Sequence, residues 1–113
     1  MSGLSTHVLD TAIGRPAAGI NVRLEVEDGA GWRELAAHST NADGRVAQLL
    51  PAGTALAAAT YRLTFDVGPY HAAHGGAGFY PHVTIAFTVR DATQHHHVPL
   101  LLSPFAYSTY RGS

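Results

Sequence analysis

The chain has 113 residues, of which 46% are hydrophobic and 13% are charged, and it contains no cysteine. This length predicts a single domain over residues 1–113, and the apolar content excludes a disordered chain. A net charge of -1 is too balanced for binding nucleic acid or an anionic membrane, and the lack of cysteine excludes disulfides and thiolate metal sites.

The amino-terminal stretch predicts a strand. The first ten residues, MSGLSTHVLD, lack the charged and then apolar pattern of an export signal, so we expect a cytoplasmic protein. From Leu4 to Asp10 the side chains alternate, with Thr6 and Val8 on one face and His7 and Leu9 on the other.

A hairpin and a tight turn follow. The segments Asn21 to Asp28 and Trp32 to Ser39 read as strands joined by a turn at 29–31. A second turn, at 41–44, ends in Gly44, which can adopt a positive φ, and it leads into a short strand from Arg45 to Leu50.

The second half of the chain predicts more strands and one short helix. Strands are expected from Tyr61 to Val67, from Val83 to Val89, from His95 to Leu102 and from Phe105 to Arg111, and a helix of one or two turns from Pro69 to His74. The whole pattern is typical of an all-β sandwich.

The strand from His95 to Leu102 is apolar on both faces at its leucine end. An antiparallel strand with one solvated face should alternate instead. Because a sandwich has only one inner face per sheet, we expect the other face to lie in an oligomer interface.

Histidine is the residue type best suited to acid–base chemistry here. Of the eight histidines, we expect His38, His71, His74 and His82 to be solvated surface residues. His7 differs, because it lies in the middle of a strand, where a β-branched or aromatic residue would fit better.

The run 95–97 is open to three interpretations. His95 and His97 would share a strand face roughly 7 Å apart, the spacing of a His-x-His zinc pair that His7 could complete. The run could also be a polar strand end, or His97 could form a general acid–base pair with a histidine of another strand. Neither a G-x-S-x-G nucleophile motif nor a phosphate-binding loop is present.

Several separate segments resemble one family. Near the end of the chain, residues 97–104 read HVPLLLSP and 107–113 read YSTYRGS; earlier segments are LSTHVLD at 4–10, GRPA at 14–17, TNADGR at 40–45 and FYP at 79–81. In this order they closely resemble the transthyretin-like 5-hydroxyisourate hydrolases. The terminal YRGS is what distinguishes these enzymes from the hormone-carrying transthyretins.

The resemblance implies a fold, an assembly and an activity. The fold would be a sandwich of two four-stranded antiparallel sheets with one short helix, assembled as a homotetramer, a dimer of dimers with two sites in the channel between the dimers. The activity would be the hydrolysis of 5-hydroxyisourate, an unstable product of urate oxidation, to 2-oxo-4-hydroxy-4-carboxy-5-ureidoimidazoline on the way to allantoin. No metal or cofactor is implied.

The family's motif residues fall here on His7, Arg45, His97 and the terminal segment 110–113. By resemblance, one histidine would accept a proton from water and the other would hold or protonate the leaving nitrogen, with their assignment left open. Arg45 would bind carbonyls and growing negative charge.

The remaining expected roles concern the end of the chain and the strand beside it. Tyr110 would stack on the substrate, Arg111 would anchor the tail, and Ser113 would bring its hydroxyl and the terminal carboxylate near the site. His95 and Ser108 would support the site from neighbouring positions.

Three residues of this chain depart from the family pattern. His96 occupies a position that is aromatic in many members, and Phe105 and Ala106 stand where Tyr and Gly are common. We expect His96 to face away from the channel.

The alternative function is a carrier of small aromatic ligands, which has no need for His7, Arg45 and His97 together.

Overall fold

The computed structural model describes residues 3–113, which form two β-sheets and one short helix. In chain order the elements are β1 (Gly3–Asp10), β2 (Arg15–Pro16), β3 (Asn21–Glu27), β4 (Trp32–Ser39), β5 (Arg45–Val46), β6 (Ala59–Asp66), α1 (Gly68–Ala73), β7 (Val83–Val89), β8 (His95–Leu102) and β9 (Tyr107–Thr109). The predicted all-β sandwich with one short helix is confirmed.

The first sheet differs in detail from the expected four antiparallel strands. Its order is β2-β1-β8-β9, and β5 also pairs with β1, which makes five strands. Strands β1 and β8 run parallel, from the pair Gly3 and His95 to the pair Asp10 and Leu102. Since β8 occupies one edge of β1, the two-residue strands β2 and β5 share the other edge. The second sheet, β4-β3-β6-β7, is four-stranded and antiparallel as expected.

The core lies between the two sheets and follows the period of two along the strands. In β1 every second residue is buried, beginning with Leu4, and in β8 the inner face is buried along its whole length. The fully buried side chains of the two inner faces include Leu4, Val8, Leu100 and Leu102 from the first sheet and Val22, Leu24, Leu63, Phe65 and Val83 from the second.

Helix α1 begins one residue before the predicted start and carries Pro in its first turn. Its Tyr70 hydroxyl donates a hydrogen bond to Asp10 at the end of β1, at 2.8 Å. Burial, followed by this bond to the Asp10 carboxylate, raises the pKa of Tyr70 to about 12. No helix within residues 3–113 is long and apolar enough to cross a membrane.

The expected exposure of two histidines and the expected lengths of two strands were wrong. His71 is buried in α1, with Gly78 packed against its ring, and His38 is partly buried and bonds the Leu49 carbonyl at 2.8 Å. Both contacts are tertiary, so local polarity could not reveal them. The predicted strands at 45–50 and 105–111 shorten to β5 and β9.

Candidate active site

Three strands of the first sheet bring the chemistry-bearing side chains to its outer face. His7 of β1 pairs with Arg45 of β5 on one side and with Pro99 of β8 on the other. Two residues earlier, Ser5 pairs with His97. The inner positions of β1 are buried while Ser5 and His7 are only half-buried, so the two histidines and the arginine share the open face.

The turn before β5 positions Arg45. The Asn41 side-chain oxygen accepts hydrogen bonds from the backbone N–H groups of Asp43 and Arg45, at 2.9 and 3.0 Å. Gly44 has a φ of 72°, and the Val8 backbone N–H donates to its carbonyl at 2.8 Å. A Cβ at Gly44 would lie 2.5 Å from the Val8 carbonyl oxygen, so only glycine lets this turn pack so closely on β1.

The Arg45 guanidinium is available to a ligand. Its side chain is exposed, and the ion pairs among residues 3–113 are made by other arginines, namely Arg23, Arg33 and Arg62. A guanidinium presents a planar fork of donors that matches carboxylate and carbonyl oxygens.

The environment favours neutral imidazoles at both histidines. Burial, and then the nearby Arg45 charge, lower the pKa of His7 below 6.5, against the opposing effect of the Asp43 backbone and carboxylate. Burial, then Arg45, His7 and His95, likewise lower the pKa of His97, opposed by a hydrogen bond with the Ser5 backbone. Both rings are therefore able to accept a proton near neutral pH.

Ser5 joins the two outward-facing histidines of β8. Its Oγ lies 2.7 Å from His95 Nε2 and 2.8 Å from His97 Nδ1. Ser5 was not among the site residues predicted from the sequence, although strand alternation already placed it on the face of His7. The parallel pairing of β1 with β8, which sets Ser5 opposite His97, was the missing information.

The terminal segment runs along the outer edge of β8. Ser108 pairs with Leu101, and a bridge between His97 and Gly112 keeps the same register, which sets Tyr110 level with Pro99. The Gly112 N–H donates to the His97 carbonyl at 2.8 Å, and a Cβ at Gly112 would lie 2.6 Å from His97 Cδ2.

In the terminal segment Arg111 makes a side-chain hydrogen bond, whereas its neighbours Tyr110 and Ser113 are exposed. The Arg111 guanidinium donates to the Gln94 side-chain oxygen at 2.9 Å, whereas Tyr110 is 57% exposed and Ser113 is exposed as well. The structure therefore brings His7, Arg45, His97, His95 and Ser5 together directly and sets the terminal residues beside them.

His96 has its side chain on the inner face, as expected, and it is buried there with only 6% exposure. Its Nδ1 lies 3.0 Å from the Gln94 carbonyl. It thus occupies the end of the core at the start of β8.

Residues 3–113 contain no group of three His, Cys, Asp or Glu side chains arranged to hold a metal ion. His95 and His97, for which a His-x-His zinc pair was one of three interpretations, both contact the Ser5 hydroxyl. The arrangement is suited to moving protons and to binding a planar, oxygen-rich molecule.

Known proteins resemble the chain over its whole length. The HIUase/Transthyretin family model matches residues 4–112. The 5-hydroxyisourate hydrolase of Caulobacter vibrioides is 50% identical, with 100% of both chains covered.

Two solved structures are similar to this chain in fold. Klebsiella pneumoniae 5-hydroxyisourate hydrolase is similar with a TM-score of 0.86 at 39% identity, covering 100% of this chain and 94% of the other. Sparus aurata transthyretin has a TM-score of 0.90 at 27% identity, covering 99% and 97%.

Proposed function

Since the chain belongs to the HIUase/Transthyretin family, we propose that it is a 5-hydroxyisourate hydrolase acting in urate degradation. The observation that carries this proposal is the convergence of two imidazoles with lowered pKa values and one unpaired guanidinium, within residues 3–113, on one sheet face. Hydrolase relatives with 39 to 50% identity support it.

The proposed reaction adds one water molecule across an amide-like C–N bond of the six-membered ring. A neutral imidazole takes a proton from water as the oxygen attacks the ring carbonyl carbon, which produces a tetrahedral oxyanion. The C–N bond then breaks, and the leaving nitrogen receives the proton that the imidazole took from water, directly or through the second ring. The carbonyl carbon becomes the carboxyl group of 2-oxo-4-hydroxy-4-carboxy-5-ureidoimidazoline, which releases its proton to solvent and ends as the carboxylate.

The proposed catalytic residues are His7, Arg45, His97 and Ser113. His7 and His97 supply the base and the acid, and Arg45 donates to the substrate carbonyls and to the oxyanion as its charge grows. Ser113 contributes its hydroxyl beside the ring. His7 and Arg45 also bind the substrate.

The other proposed roles follow from position along β8 and the terminal segment. Tyr110 stacks on the flat substrate through its exposed ring. Arg111 fixes the terminal segment through Gln94, and His95 and Ser108 support the site. We propose no metal and no cofactor.

A homotetramer, organised as a dimer of dimers, is part of the proposal. The site lies on an open face of the single chain, and covering that face would exclude bulk water and strengthen the electrostatic interactions of Arg45 with the substrate. The large hydrophobic side chains that are exposed in the single chain and available to a second subunit include Ile13, Phe79, Phe105 and Tyr107.

The alternative is a carrier of small aromatic ligands, favoured by the close structural likeness to a transthyretin. A shared fold does not imply a shared function. A carrier would not need two proton-accepting imidazoles beside a free arginine, so the residues of the site favour the hydrolase.

The test uses 5-hydroxyisourate generated in the cuvette by urate oxidase. We expect its ultraviolet absorbance to decay faster with catalytic amounts of the protein, in proportion to protein concentration. A carrier would instead protect or bind the compound in stoichiometric amounts, with no acceleration of its decay.

The expected cytoplasmic location stays a prediction that cell fractionation would test.

A further inference from the structure

The hydroxyl of Ser5 lies between two histidine rings and has a single proton to give. It is 2.7 Å from His95 Nε2 and 2.8 Å from His97 Nδ1, both ordinary hydrogen-bond distances. The hydroxyl can donate to one ring only, so with both rings neutral the other ring must donate to it. The proton positions on His95 and His97 are therefore linked.

Two arrangements satisfy this linkage. In the first, His97 donates from Nδ1 to Ser5, Ser5 donates to His95 Nε2, and His97 Nε2 keeps a free lone pair. In the second, every bond is reversed, and His97 carries its proton on Nε2. Only the first arrangement lets His97 accept a proton from water through the nitrogen on the far side of its ring.

The first arrangement is the one that the proposed hydrolysis needs. It leaves the lone pair of His97 Nε2 free to accept a proton, while Nδ1 is engaged with Ser5 at 2.8 Å. Burial, followed by the nearby Arg45 charge, lowers the pKa of His97, which favours the neutral ring in which the choice of nitrogen matters.

The ring of His97 is also held on its other flank. Gly112 packs against it so closely that a Cβ would lie 2.6 Å from Cδ2. Between Ser5 and Gly112 the ring has little freedom to turn over and exchange its two nitrogens.

We propose that Ser5 and His95 are positioning residues that set the tautomer of His97, so that His97 carries its proton on Nδ1 and acts as the base through Nε2. This rests on the proposed hydrolase function and assigns within it the base that the sequence left open. Ser5 and His95 act through His97 and do not touch the reacting atoms.

The direct test is long-range ¹H–¹⁵N NMR of histidine-labelled protein, with signals assigned from single histidine variants. In the wild type we expect His97 with a protonated Nδ1 and an unprotonated Nε2. A wild-type His97 protonated on Nε2 would overturn the proposal. This measurement needs no activity, so it remains decisive even if the protein does not hydrolyse 5-hydroxyisourate.

The kinetic test compares Ser5→Ala with Ser5→Thr, which keeps the hydroxyl, and with Ser39→Ala, an exposed serine of the second sheet. We expect Ser5→Ala to lower kcat about 10- to 100-fold, the loss that is typical when a residue that orients a metal-ligating histidine is removed. KM should change little, and His97 should be a mixture of the two tautomers. Ser5→Thr should restore kcat and Ser39→Ala should match the wild type.

A double-mutant cycle separates positioning from simple structural damage. If His95 acts only through Ser5, His95→Ala should lower kcat in the wild type and have no further effect in Ser5→Ala. Fully additive losses, or a Ser5→Ala variant with wild-type kcat and an unchanged tautomer, would overturn the proposal.

Discussion

Two imidazoles and one guanidinium carry the proposed chemistry, and they depend on each other electrostatically. The positive charge of Arg45 contributes to the lowered pKa of both His7 and His97. The group proposed to stabilise the oxyanion therefore also helps to keep the two rings able to accept protons at neutral pH.

Replacing either ring should remove most of the rate without harming the fold. General acid–base catalysis typically contributes about 10²–10⁴-fold, so His7→Asn or His97→Asn should lower kcat by about that factor. The exposed His82, which lies just before β7, is the matched control, and His82→Asn should leave kcat unchanged. Light scattering on each variant would verify that the oligomer is intact.

The pH profile follows from the direction of the pKa shifts. A base with a lowered pKa stays neutral to lower pH, so the rate should fall only as the pH drops through a value below 6.5. The pH profile of kcat/KM reports the pKa values of the acid and base in the free enzyme. An acid limb centred above 6.5 would contradict the assignment of either imidazole as the base.

At the scale of secondary structure, the turn that carries Arg45 is tied to β1 at one glycine. Gly44→Ala would strain a positive φ and also push a Cβ against the Val8 carbonyl. We expect Arg45 to be displaced, lowering kcat and raising KM together, because its donors serve both binding and the transition state.

Gly53→Ala is the control for this turn. Gly53 has a φ of 79° but nothing within 4 Å of an added Cβ, so it carries the same backbone strain without the clash. Equal kinetic effects of the two variants would show that contact with β1 is not what positions Arg45.

The register of β8 decides which of its histidines faces the substrate. We expect His96→Asn to lower the melting temperature, because His96 is buried, while leaving kcat close to that of the wild type. A His96→Asn variant that is stable but inactive, beside a fully active His97→Asn, would mean that the register is shifted by one residue.

The alternation of side chains along the strands made the sheet face of each site histidine predictable from the sequence. The alternation in β1 and β8 correctly assigned His7 and His97 to the outer face and His96 to the inner one. The parallel pairing of these strands is a non-local contact, so the Ser5 bridge could not be foreseen. The burial of His71 depends likewise on how a six-residue helix packs.

At the scale of the whole molecule, the open face of the first sheet is where the proposed tetramer would place another subunit. Leu101 lies on this face of β8 and is only half-buried in the single chain. The tetramer stays a prediction for this chain.

A charge at this face tests the assembly. Leu101→Glu would bury an unpaired charge between subunits, at a cost of several kcal/mol. We expect sedimentation to detect smaller species and the activity to fall with them. Ala30→Glu, in the exposed β3–β4 turn, adds the same charge elsewhere and should leave the assembly intact. A wild-type protein that is monomeric at micromolar concentration would contradict the tetramer.

The central claim is that this chain catalyses the opening of the 5-hydroxyisourate ring by water. The most direct measurement follows product formation by mass spectrometry in water enriched in oxygen-18, with enzyme far below substrate. We predict many turnovers per site, each placing one label in the new carboxylate, and loss of this excess over the spontaneous reaction in His97→Asn. Label appearing no faster with the wild-type protein than without it would contradict the account.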